Sequence, residues 1–324
     1  MNSALRFLFY GAEGVGKSTL LAHAPAPIFF DLEDGTATLD VARYSFHDGP
    51  GGHVAHGFQD VRLAIADLTE SEHEFQTLVI DTVDRLEAML WRWMIARDND
   101  SGGNPFSKSH QTLTSIESYG YGKGPQVAVD EWRALCESLD VLRLRRNMHV
   151  ALIGHAQIRT FKNPTGEDYD RFQPSLNMLA AGCLKSWCDV TGFCCYEDGS
   201  GKLDGKDKRD RPRGWSTGRR LLKLQREAAF DAKSRIALPA EIELDITNPW
   251  APLNDAIGQV HLEAKKLIDS IAAVCAAIGD EVLAKKVAAA VKNAGANTAT
   301  LARYLSELQT RANQPKEEVT NVTQ

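Results

Sequence analysis

Gly11-Ala12-Glu13-Gly14-Val15-Gly16-Lys17-Ser18 decides the reading of this chain, because it stands between a short apolar run, Leu5–Tyr10, and a helical one, Ser18–His23. A strand that feeds a Gly-rich turn opening a helix converges main-chain N–H groups on one point, and that geometry suits a phosphate. The spacing G-x-x-x-x-G-K-S gives each residue a task. Gly11, Gly14 and Gly16 permit the turn, Lys17 sets a cation beside the β- and γ-phosphates of a nucleotide, and the Ser18 hydroxyl is a ligand for Mg²⁺. Ala12, Glu13, Val15 and Thr19 complete the loop. ATP and Mg²⁺ are the expected cofactors. The alternative, a Gly-rich turn without a ligand, is disfavoured by the strand-and-helix context.

Working outward, Pro25 and Pro27 close the first helix, and Pro27–Asp31 reads as the next strand. It runs into the acidic turn Leu32-Glu33-Asp34-Gly35, where Glu33 is the leading candidate to orient and deprotonate a water, with Asp31 and Asp34 competing by proximity. Phe75–Asp81 is a strongly apolar strand ending on a carboxylate. Asp81 is thereby expected at the same sheet edge as the loop, holding Mg²⁺ through water, a role compatible with capping the helix that follows. That helix reaches Arg97, with Leu86, Met89, Leu90, Trp93 and Met94 at helical spacing. A second covers roughly 127–146, and His149–Gly154 is another buried strand. Asp189–Tyr196 and Arg220–Gln225 read as two more. Apolar strands alternating with helices predict an α/β fold, a mainly parallel sheet covered by helices on both faces.

From Asn254 the composition shifts to Ala, Lys and Leu, predicting short amphipathic helices near 256–278, 281–293 and 298–310. The expected division is a nucleotide-binding core over 1–250, a small helical bundle over 251–311 and a polar, disordered tail over 312–324. Across its 324 residues the chain is 43% hydrophobic and 25% charged, with a net charge of −6, the balance of an ordinary soluble protein. It offers no stretch that spans a membrane and no leader pattern, so the expectation is a cytoplasmic protein with its six cysteines reduced. Cys183, Cys188, Cys194 and Cys195 lack paired C-x-x-C spacing and read as small core residues. His47, His53 and His56 have no ligand spacing and read as loop histidines.

Phe29-Phe30-Asp31-Leu32-Glu33-Asp34 resembles the strand of RecA-type recombinases that carries their catalytic glutamate, and the match lands on Glu33. Leu78-Val79-Ile80-Asp81-Thr82-Val83 resembles their Mg²⁺-binding strand. His155-Ala156-Gln157-Ile158-Arg159 is similar to the segment that senses the γ-phosphate. There the resemblance gives Gln157 the sensing position, with His155 sharing it as in related hexameric proteins, while Ala156 departs from the usual amide. Ala232-Lys233-Ser234-Arg235 looks like the segment whose basic residues reach a neighbouring subunit's ATP, which implies Lys233 and Arg235 acting in trans. Tyr119-Gly120-Tyr121-Gly122-Lys123-Gly124 and Asp168-Tyr169-Asp170-Arg171 look like features of phage-encoded RecA-like proteins of the single-strand annealing group. The likeness covers about residues 4–247. It implies a RecA-like P-loop NTPase core, a homo-oligomer (ring or filament) with ATP at subunit interfaces, and a place in the host bacterial cytoplasm. The chain starts at the core, without the N-terminal helix and strand by which RecA polymerises.

Two stretches suit a nucleic acid. Arg159–Gln173 interleaves Arg159, Lys162 and Arg171 with Phe161, Tyr169 and Phe172, cations and stacking faces fitted to a single strand. Lys202–Lys223 carries nine Lys and Arg against three Asp, an excess that stands out in an acidic chain and points to Lys206, Lys208, Arg209, Arg211 and Arg213. Solvated loops are the alternative for both. The expectation is a DNA-stimulated ATPase that binds single-stranded DNA and anneals or pairs it, possible company being a single-strand-binding protein. A helicase-type motor, a small-molecule phosphotransferase and an ATP-ordered binding protein without turnover remain the competing readings.

Overall fold

The computed structural model describes residues 4–49, 51–201, 213–295 and 297–312. At its centre lies β1 (Arg6–Gly11), whose residues from Phe7 onward are buried. It leads through the glycine loop into α1 (Lys17–Ala22), and β2 (Pro27–Asp31) and the two-residue β3 (Ala42–Arg43) follow. Then come α2 (Phe58–Glu70), β4 (Thr77–Asp81), α3 (Val83–Asp100), α4 (Lys123–Arg146) and β5 (His149–Phe161). The core continues with β6 (Tyr169–Pro174), α5 (Met178–Trp187), β7 (Val190–Gly201), β8 (Arg213–Lys223), β9 (Lys233–Ser234) and β10 (Glu241–Glu243).

The main sheet runs β10-β8-β7-β1-β5-β4-β2-β3. From β7 to β3 every pairing is parallel; β8 and β10 extend it antiparallel, as do the flanking strands β6 and β9. The α/β class expected from the alternation of elements is therefore what the chain adopts. Because side chains alternate across a strand, Leu8, Ile28, Phe30, Leu78, Ile80, Val150 and Leu152 share one face. They form a continuous core there with Val61 of α2, Leu86 and Leu90 of α3, Trp132 and Leu139 of α4, and Leu184 of α5. Phe7 points the other way, its ring meeting Trp250 edge-on at 5.6 Å, and α1 packs on β1 and β5. Both margins of this sheet are short: β3 has two residues and β10 three.

Three strands differ from the sequence reading. The expected strand His149–Gly154 continues to Phe161, and its extension pairs with β6, so the segment 159–173 read as a DNA-contacting loop is a hairpin. The strands expected at 189–196 and 220–225 likewise run to Gly201 and back from Arg213. In both cases polar residues alternate along a strand that has left the core, and polarity conceals the extended backbone.

Contacts divide the chain into two compact units, one holding residues through Ser234 and Pro239–Leu253, the other holding 235–238 and the chain from Asn254 onward. From Asn254 onward α6 (Ala251–Ile278) lies in the second unit, where it, α7 (Glu281–Ala294) and α8 (Thr298–Ala312) bury Ile271, Cys275, Leu301 and Leu308 against one another. The tail from 313 onward lies outside the described residues. No described helix is long and apolar enough to cross a membrane.

Candidate functional site

The carboxyl edge of the parallel strands gathers the chemistry. β1 ends in Gly11, and a Cβ there would stand 2.2 Å from the Cys194 carbonyl oxygen of β7, so only glycine lets the two strands close at the start of the loop. Gly16 has φ +93°, a conformation that favours glycine. It precedes α1, whose first residue, Lys17, is buried, with its ammonium donating to the carbonyls of Gly11 at 2.9 Å and Ala12 at 2.8 Å. Burial pulls the Lys17 pKa below its usual value, against the pull of Cys194, Asp81 and Asp84. A cation braced across the loop and short of solvent is well disposed to accept an anion.

Ser18 donates its hydroxyl to Asp81 at 2.6 Å. Asp81 ends β4 in register with Asp31 of β2. Burial pushes its carboxyl up to about 6; Asp31 and Glu33 add to the rise, while the Ser18 hydrogen bond and Lys17 oppose it. Asp31 has a different task, accepting from the backbone N–H groups of Glu33, Gly35 and Thr36 and from the Thr36 hydroxyl. These bonds fold the acidic turn and hold the Asp31 carboxyl below its usual range against its burial. Glu33 is left facing the pocket, where it accepts from the Thr82 hydroxyl at 3.0 Å.

His155 stands at the point of β5 that pairs with Gly11. Asp84, on the first turn of α3, accepts from the His155 backbone N–H at 3.1 Å and lies 2.7 Å from Nδ1. An acceptor carboxylate there fixes Nδ1 as the protonated nitrogen. Glu33, Asp84 and His155 each bring one ligand atom within 4.8 Å of the others. Together Glu13, Gly14, Gly16, Lys17, Ser18, Thr19, Asp31, Glu33, Asp81, Thr82 and His155 line a pocket of about 390 Å³. The hydroxyl of Ser18 and the carboxylate of Asp81, hard oxygen donors at a buried site short of positive charge, fit a hard divalent cation such as Mg²⁺.

Most residues expected at this site are thus brought together. Gln157 is not: its amide donates to the carbonyls of Pro174 and Leu176, so His155 is the residue of that segment at the pocket. Asp84 went unread in the sequence, its signal being only a carboxylate three residues past Asp81. Lys233 pairs with Thr191 near the start of β7, away from the edge where Cys194 meets Gly11, and its ammonium donates to the carbonyls of Lys185 and Ser186. Arg235 belongs to the second unit.

Among the expected DNA contacts, Arg171 requires correction. It is 3% exposed, paired with Asp231 at 3.3 Å, and donates to the carbonyls of Ala228 and Glu227 beneath the Phe161 ring. A guanidinium so enclosed holds the hairpin to the core and is not offered to a ligand. Arg159 gives one donor to the Leu176 carbonyl, whereas Lys162 is exposed at the turn beside Asp168. Ile158 and Phe172, opposite each other in the hairpin, are exposed. Lys206, Lys208, Arg209 and Arg211 lie outside the described residues, as does the side chain of Arg213. His47 and His56 stack at 4.0 Å beside Asp60, which caps α2 through the N–H groups of His56 and Gly57.

The AAA domain family matches residues 3–236. No curated protein matches the chain. Among solved structures, the crystal structure of the RadB recombinase is similar over 76% of this chain and 88% of its own, at 14% identity and a TM-score of 0.37.

Proposed function

This chain belongs to the AAA domain family, and from that premise we propose that it binds ATP with Mg²⁺, hydrolyses it to ADP and phosphate, and acts on single-stranded DNA in a recombination-type reaction. The observation that carries the nucleotide reading is the convergence of Lys17, Ser18, Asp81, Glu33 and His155 on one pocket at the strand edge, with Asp84 holding the His155 ring. Backbone N–H groups of the loop and the Lys17 ammonium bind the phosphates. Ser18 and Asp81 would hold Mg²⁺, which when bound neutralises charge on the transferring phosphoryl group. Glu33 accepts the proton of the attacking water, its carboxylate aimed by Thr82. His155, its ring oriented by Asp84, reports occupancy at the start of the β5–β6 hairpin, the element whose exposed Lys162, Ile158 and Phe172 support a contact with single-stranded DNA. Lys233 and Arg235 are assigned to a neighbouring protomer's nucleotide in a homo-oligomer, a role consistent with Lys233 lying away from its own loop.

Phosphate release measured with and without single-stranded DNA, at low and high salt, tests the reading. Stimulation that fades with salt is expected, since backbone phosphates release counterions on binding. Turnover indifferent to any nucleic acid would sink the DNA assignment. Annealing of complementary strands without unwinding of a partial duplex separates a pairing protein from a helicase-type motor.

A further inference from the structure

Arg219 and Arg220 follow one another on β8 and therefore face opposite sides of the strand. Arg219 is engaged, donating to Glu197 and Glu243. Among the described residues Arg220 has no carboxylate partner. Its guanidinium lies against the phosphate loop instead: a Cβ built on Gly16 would stand 2.7 Å from Arg220 Nη1 and 3.8 Å from its Cζ. Directly across the β7–β8 pair is Tyr196, which shares that face and donates its hydroxyl to the Gly14 carbonyl at 3.4 Å. One cross-strand pair thus touches two glycines of the loop. The Arg220 backbone is itself anchored, its carbonyl accepting from the Leu244 N–H at 2.8 Å.

The charge balance of the pocket gives this placement a purpose. Glu13, Asp31, Glu33 and Asp81 line it, with Lys17 as its one Lys or Arg among the described residues. A polyphosphate entering so acidic a cleft is repelled unless positive charge stands close by, from a bound Mg²⁺ and from a cation beside the loop such as Arg220.

Resting on the ATP-binding reading above, we propose that Arg220 is a ligand in cis for the phosphate chain of a nucleoside di- or triphosphate, seated on the loop by Tyr196. Arg220 then ties the base of the β7–β8 hairpin to nucleotide occupancy, because a guanidinium that bonds phosphate fixes the strand that bears it.

Calorimetric titration with ATP and with inorganic tripolyphosphate tests this, using the full chain and its Arg220→Gln, Arg220→Lys and Lys17→Ala variants, with thermal midpoints taken for each. Arg220→Gln is expected to weaken both ligands by the same factor, about 10- to 100-fold for a lost charge-assisted contact. Arg220→Lys keeps the charge and should stay within about tenfold of wild type. Backbone amides of 219–223 should exchange more slowly with ATP bound in wild type and unchanged in Arg220→Gln. Arg220→Gln binding ATP as wild type does, while Lys17→Ala does not, overturns the proposal and leaves the ATP reading standing. A loss confined to ATP, sparing tripolyphosphate, places the contact at base or ribose and overturns it too. So does Arg220→Lys falling as low as a destabilised Arg220→Gln, which marks the effect as structural. A wild-type chain that binds neither ligand overturns both readings.

Discussion

Glu33 and Asp31 sit two residues apart on one turn, yet their surroundings give them different work. Asp31 is saturated by four donors of the turn it folds, while Glu33, which looks into the pocket, accepts among the described residues from the Thr82 hydroxyl. Glu33→Gln keeps the shape and the Thr82 contact but removes the base. ATP affinity should change by less than about fivefold while phosphate release slows about 100- to 10,000-fold, the usual span of a general base; nucleotide titration and single-turnover release check the two halves. Equal losses in both would mean that Glu33 shapes the site without activating water. Lys17, Ser18, Asp81 and Glu33 were legible in the sequence because each is fixed by local spacing, a motif or the last residue of an apolar strand. Asp84 and Arg220 were not, since their relevance depends on β5 and β8 lying beside the loop, and strand order is a non-local fact.

The β5–β6 hairpin carries the correction that matters most. Its composition, cations interleaved with aromatics, suits a ligand surface, but the strand pairing turns Arg171 inward onto Asp231 and two carbonyls. Arg171→Ala removes a buried charge from its partners and should destabilise the fold by about 3 kcal/mol. Urea unfolding measures that loss. At low urea the variant's affinity for single-stranded DNA should match wild type, whereas Lys162→Ala should weaken DNA binding with little effect on stability. Reversal of that pattern would restore Arg171 to the interface. Element boundaries were most legible where prolines and acidic turns punctuate the core, as at Pro27–Asp31, and least where β5, β7 and β8 leave it, because an exposed strand loses the apolar run that marks a buried one.

For the whole molecule, pH links stability to a carboxyl beneath the site. Glu87 of α3 accepts from the Asn177 N–H at the start of α5, and burial pushes it up to about 7 from 4.5. The native chain therefore keeps a proton that the unfolded chain releases. Its contribution is fully present below pH about 4.5 and is lost as pH rises through about 7, a change of at most about 3 kcal/mol. Chemical denaturation between pH 5 and 8 should show the slope in wild type and a flatter profile in Glu87→Gln; parallel profiles would refute the linkage.

The scant margins of the sheet bear on how copies of this chain could associate. With two residues at β3 and three at β10, and with β10 flanked by the Arg219–Glu243 and Lys223–Glu241 ion pairs, neither border presents a run of vacant amides long enough to template another ribbon. Continuous backbone stitching from protomer to protomer is closed off along these edges. A ring or fibre formed across these two edges would be clasped by side chains, and so should come apart on dilution and re-form on concentration.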